Sequence, residues 1–90
     1  MSGDRIAAIR ARLQQSFAPL ELDIQDDSAR HAGHAGARDG RGHYSVRIVA
    51  TAFTAVSRVE RHRMVYAALG ELMQTDIHAL SIISLAPGER

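Results

Sequence analysis

Apolar and polar positions alternate with two different periods along this chain, and the switches between them mark its elements. Ile6, Ile9, Leu13 and Phe17 recur at three- and four-residue intervals, with Arg5, Arg10, Arg12 and Gln14 between them. That spacing lines the apolar side chains along one stripe of an α-helix, with Asp4 as its N-cap. Ala18-Pro19 stops it, because proline restricts the residue that precedes it. Leu20, Leu22 and Ile24 then alternate with Glu21, Asp23 and Gln25. This period of two predicts a half-buried strand, closed by Asp26-Asp27-Ser28. A second strand is predicted from His43 to Thr51, with Tyr44, Val46, Ile48 and Ala50 on one face and Arg47 on the other.

Phe53 begins a short connection, after which Ser57 and Glu60 form a capping box. The helix they open, SRVERHRMVYAALGELMQ, places Val59, His62, Tyr66, Leu69 and Met73 along one stripe and carries Gly70 inside it. Beyond Thr75-Asp76, the segment IHALSIISLA is short, rich in β-branched residues and bounded by Pro87-Gly88, and reads as a largely buried third strand. The order α-β-β-α-β implies an α+β layer, three strands with two helices packed on one face. Ninety residues without an internal repeat or a long linker make one domain, residues 1–90, with a single modest core.

Composition narrows the chemistry. Four aromatic residues (Phe17, Tyr44, Phe53, Tyr66) and no tryptophan leave the core mainly aliphatic. A net charge of +1 gives no strong field to draw in nucleic acid or an acidic membrane. With no cysteine, a disulfide scaffold is excluded, as is any metal cluster held wholly by this chain's own thiolates. No run approaches the ~18 apolar residues of a membrane span, and the first residues lack a signal-type apolar segment. The expectation is a cytoplasmic protein with no membrane contact. No HExxH, nucleophile elbow or paired carboxylates stand out, which reads as a non-enzyme.

Candidate chemistry gathers in RHAGHAGARDGRGHYSV, residues 30 to 46. His31 and His34 stand three apart across a glycine, in a loop able to turn both rings toward one point. A third ligand is available from His43, at the start of the second strand, or from His78, at the start of the third. Neutral imidazole suits iron, zinc and copper; a solvated connector fits the same residues. GHAG at 33–36 has the G-x-x-G form of KH domains, but that loop joins two helices, whereas this one joins two strands. Arg58, Arg61 and Arg63, with His62, crowd the opening turns of the second long helix. Such residues can meet phosphates, weakly and with a steep dependence on salt at this net charge.

Taken in order, DDSARHAGHAG, HYSVRIVATAF, SRVERHRMVYAALGELM and IHALSIISLAP resemble the BolA family, over nearly the whole chain. The most specific pieces are RHRMVYAAL and HALSI. The resemblance implies a class II KH-like α-β-β-α-β fold, with a short extra helical turn before the second long helix. It also implies partnership with monothiol glutaredoxins, in heterodimers that can bridge a [2Fe-2S] cluster for iron-sulfur trafficking or iron sensing. Some bacterial members are described as DNA-binding transcriptional regulators of cell shape and stress response. The family's HAL histidine, a cluster ligand, maps to His78. The second ligand comes from the loop between the first two strands, where HAGHAG offers His31 and His34; His43 matches a frequent family histidine and is a third possibility. A two-iron cluster needs four ligands, so two histidines here imply two thiolates from outside, from a glutaredoxin cysteine and glutathione. The free protein is then expected to be a metal-poor monomer or weak homodimer.

Overall fold

The apolar run Tyr44, Val46, Ile48 forms the spine of β2 (Gly42–Val49), the middle strand of a three-stranded sheet. β2 runs antiparallel to β1 (Glu21–Asp26) and parallel to β3 (Ile77–Leu85). The computed structural model describes residues 2–28 and 42–90, so His31, His34 and the GHAG sequence lie outside the described residues. Parallel strands need a crossover connection. Here it is a 3₁₀ turn (Thr51–Phe53), α2 (Arg58–Leu69) and a short α3 (Leu72–Thr75); α1 (Ser2–Phe17) precedes the sheet. The turn before α2 is the extra helical turn that the sequence resemblance implies.

One face of the sheet lies under the helices. Tyr44, Val46, Ile48 and Ala50 are buried there with Ile9 and Leu13 of α1, Val65 and Leu69 of α2, and Phe53 from the turn. Each valine, leucine, isoleucine or phenylalanine among them contributes about 1.5–3 kcal/mol through removal of apolar surface from water. Phe53 also meets Phe17, with ring centroids 5.1 Å apart. Arg12 ties the helices together, its guanidinium donating to the Leu69 carbonyl at 3.2 Å, where a cation also complements the helix dipole. The opposite face is open and polar: Arg47 lies across from Asp23 in the ladder and pairs with Glu21 at 2.8 Å.

Several boundaries differ from the pattern-based expectation. α1 starts at Ser2, and Asp4 lies within its first turn, where a carboxylate favours the dipole without capping. Leu20 precedes β1 and is 65% exposed, leaving Leu22 and Ile24 to pack against the core. β2 ends at Val49, because Thr51 enters the 3₁₀ turn. β3 is an edge strand with one face open: Ala79, Ser81 and Ile83 are exposed, and burial is complete only near its ends.

The largest difference lies in the second long helix. Ser57 caps it as expected, its hydroxyl accepting from the Glu60 N–H at 3.2 Å. The buried stripe, however, is Arg61, Val65 and Leu69, while Val59 and Tyr66 face solvent. Arginine at an i, i+4, i+8 core position hides this stripe from a hydrophobicity count. Gly70 ends α2 with φ 56° and ψ −128°, a conformation open to glycine and strained for other residues, so α3 is a separate turn. Ala18 (φ 44°) and Ala55 (φ 63°) also adopt left-handed backbone, and the Ala18 N–H closes α1 by donating to the Gln14 carbonyl at 3.0 Å.

Candidate functional site

Parallel pairing sets the first residues of β2 and β3 side by side. The register runs Gly42↔Ile77 and then His43↔Ala79, so His78 is the one residue the ladder leaves over. Packing explains the irregularity. Ile77 is fully buried and Leu80 packs against the same core, and residues three apart in a strand share a face only around a bulge. The result places the His78 ring against that of His43, with centroids 5.1 Å apart and planes tilted by 49°. His43 is buried, with its Nε2 closed off from solvent, whereas His78 is exposed. Of the two, His78 is the side chain a ligand can reach.

The strand ends around this pair are fastened together. The Asp27 N–H donates to the His43 carbonyl at 2.7 Å, and the His43 N–H donates to the Ser28 hydroxyl at 3.1 Å. Ser28 is held in turn by an Asx-type turn, its N–H donating to Asp26 Oδ1 at 2.8 Å, and the Ser45 hydroxyl donates to Asp27 Oδ2. The segment bearing His31 and His34 therefore leaves from a fixed point beside His43 and rejoins the sheet at Gly42. A Cβ on Gly42 would lie 2.5 Å from the Tyr44 hydroxyl, so glycine is what admits the Tyr44 ring beneath this corner. Burial pushes the Tyr44 phenol up from its ordinary value. The nearby Arg5 opposes that shift without reaching hydrogen-bond geometry.

The structure thus brings His43 and His78 together and leaves His31 and His34 outside the described residues. Among the described residues, no group of three or more His, Asp or Glu side chains is placed to hold a metal ion. What the corner offers is an open imidazole seated on a buried one: an incomplete donor set. Sequence reasoning missed Asp27, Ser28 and Ser45. In the sequence, Asp-Asp-Ser marks only the end of a strand, although Asp and Ser are the residues whose side chains bond neighbouring backbone.

The arginines of α2 divide. Arg61 is 6% exposed and turns inward, which removes it from any phosphate-binding surface. Its guanidinium donates to the carbonyls of Val56 (2.8 Å) and Ser84 (3.0 Å) and grips Glu89 with two bonds (2.6 and 2.9 Å). It also lies over the Phe53 ring, 5.9 Å from its centroid. Arg61, aided by the Ala86 N–H, holds the Glu89 carboxyl well below the usual range, at about 2. Arg58 and Arg63 remain exposed, with Arg63 paired to Glu60 at 3.1 Å. No helix among the described residues is long and apolar enough to cross a membrane.

Comparison with known proteins agrees with this architecture. A family model described as BolA-like protein matches residues 13–89. The protein BOLA1, chloroplastic, of Arabidopsis thaliana is 44% identical over 96% of the chain, which spans 56% of that protein's length. The DNA-binding transcriptional regulator BolA of Escherichia coli is 36% identical over 82% of the chain and 68% of its own length. The solved structure of BolA1 from Arabidopsis thaliana superposes with a TM-score of 0.81 at 40% identity, covering 96% of this chain and 95% of that one. With the strand order, the extra helical turn and the HAL histidine all in place, the chain is a member of the BolA family.

Proposed function

We propose that this protein catalyses no reaction of its own and acts as the partner of a monothiol glutaredoxin, giving two histidines to a [2Fe-2S] cluster in iron-sulfur trafficking or iron sensing. The observation that carries this reading is the exposed His78, seated by the bulge against buried His43 at the root of the His31/His34 segment. The donor set fits a shared group. A two-iron cluster needs four ligands, the chain has no thiol, and no third ligand joins the two rings among the described residues. In this reading His78 supplies the fixed nitrogen and His31 or His34 the second. His43 supports the His78 ring from behind, and two thiolates come from the glutaredoxin cysteine and glutathione. Such a cluster supplies electron storage and a transferable iron-sulfur unit.

The test is anaerobic cluster reconstitution with a monothiol glutaredoxin, read by visible absorption and circular dichroism. His78→Ala is expected to abolish the heterodimer's spectrum, and one of His31→Ala and His34→Ala to shift it while the other is silent. A spectrum indifferent to loss of all three histidines would sink the proposal.

A second reading, regulation of transcription through DNA, has one observation in its favour. Arg58 and Arg63 are exposed at the start of α2 in a chain 36% identical to a DNA-binding regulator. With Arg61 turned inward, the phosphate-facing surface is smaller than the sequence suggests, and binding would fall steeply with salt.

A further inference from the structure

β3 pairs with β2 along one edge, and its other edge faces α2. The Leu85 carbonyl points toward β2, accepting from the Ala50 N–H at 3.0 Å; the Ser84 carbonyl points the other way, to Arg61. Strand alternation aims the N–H and carbonyl of Ile82 outward as well, and among the described residues no backbone group outside the ladder bonds to them. Along this edge runs a groove of about 220 Å³, floored by residues 82–85 and walled by Arg58, His62 and Arg90. Among the described residues no Asp or Glu side chain lines it, and the nearby Glu89 is engaged by Arg61. Ile83 lies 56% exposed at the margin, on the open face of the sheet.

We infer that this groove receives an extended acidic segment of a partner protein, which adds to β3 as a further strand. An unpaired strand edge is satisfied by another peptide backbone, which offers both N–H and carbonyl at the strand repeat. The two arginine walls, Arg58 and Arg90, choose an acidic segment. Strand alternation specifies the pattern: acidic side chains toward Arg58, His62 and Arg90, apolar ones toward Ile83, at every second residue. Nucleic acid is disfavoured because a phosphodiester has no N–H for the Ile82 carbonyl, and because Arg61 is turned away and Arg63 is paired. A second copy of the chain would bring the same cationic walls against each other. The inference requires neither metal nor the residues 29–41, and so stands apart from the cluster reading.

The experiment titrates the isotope-labelled full chain with a short acetylated, amidated peptide of alternating Glu and Val. Amide shifts are expected to concentrate on residues 58–62 and 82–85, with slowed hydrogen exchange at Ile82. The double variant Arg58→Glu/Arg90→Glu, which alters only exposed side chains, should bind about tenfold more weakly. A Lys/Val peptide of equal length should not bind. Equal binding by peptides N-methylated at either set of alternate residues would overturn strand addition. Duplex DNA shifting the same amides where the peptide does not would assign the surface to nucleic acid. Ile82 protection that grows with protein concentration alone would assign it to a second copy. No shift at millimolar peptide would also end the proposal.

Discussion

His43 and His78 meet across the parallel ladder with ring centroids 5.1 Å apart, one ring buried and the other open to solvent. The two should therefore respond differently to the same substitution. His78→Ala removes an exposed ring and should change unfolding free energy by less than about 0.5 kcal/mol. His43→Ala empties a packed site and should cost about 1–2 kcal/mol. Urea denaturation of the two variants reads the difference, and equal losses would contradict the division of roles.

The arginines of α2 give a second contrast. Arg61→Met strips Glu89 and two carbonyls of their donor, so it should lower the thermal midpoint clearly. Arg58→Gln and Arg63→Gln should leave the midpoint near that of the parent. If DNA is bound at this helix, those two changes should weaken retardation for all sequences, each lowering the slope of log affinity against log salt by about one. A larger salt-slope change from Arg61→Met, with the fold intact, would reverse the assignment.

The Arg61–Glu89 pair also has a defined pH window. Glu89 titrates at about 2 in the folded chain, below its ordinary 4.5, so the pair's stabilisation is complete above about pH 4.5 and disappears as pH falls through 2. The stability difference between the parent and Glu89→Gln should be constant at neutral pH and shrink toward pH 2. A difference that instead grew on acidification would show that the carboxylate is not held by the arginine.

Backbone conformation supplies the fourth prediction. Ala18→Gly and Ala55→Gly relieve left-handed strain at non-glycine residues, each gaining about 0.5–1 kcal/mol after the added chain entropy is counted. Gly70→Ala does the reverse at φ 56°, ψ −128°, and should lose at least about 1 kcal/mol. Paired denaturation curves check all three.

The fold was legible wherever period alone decides. The two-residue alternation of β2 matches its buried face residue for residue, and the Ser57 hydroxyl caps the start of α2, while the Glu60 carboxylate pairs with Arg63 instead of closing the box. It failed where a polar residue occupies a core position. Arg61 is buried because it satisfies the Val56 carbonyl just before α2, the Ser84 carbonyl of β3 and Glu89, and the last two are distant in sequence, where no local pattern reveals them. Gly70 sits inside a helical pattern in the sequence, and the backbone angles that end α2 there are visible only in the structure. For the site, its place at a strand start offers His78 as a candidate and the HAL motif singles it out, whereas its contact with His43 depends on the β2–β3 register. The Ser28 and Asp27 fastenings depend on the separate β1–β2 register.

The surplus residue in the β2–β3 ladder has a bearing on how such a protein can change. A side chain that the hydrogen-bond register does not require, and that the core does not enclose, is nearly invisible to selection for stability. At His78 the exposed side chain can be exchanged for another while Ile77 and Leu80 keep the sheet in place. If His78 is a ligand as proposed, folding and ligation are carried by adjacent residues that answer to separate constraints, and what this corner binds can be altered one position at a time.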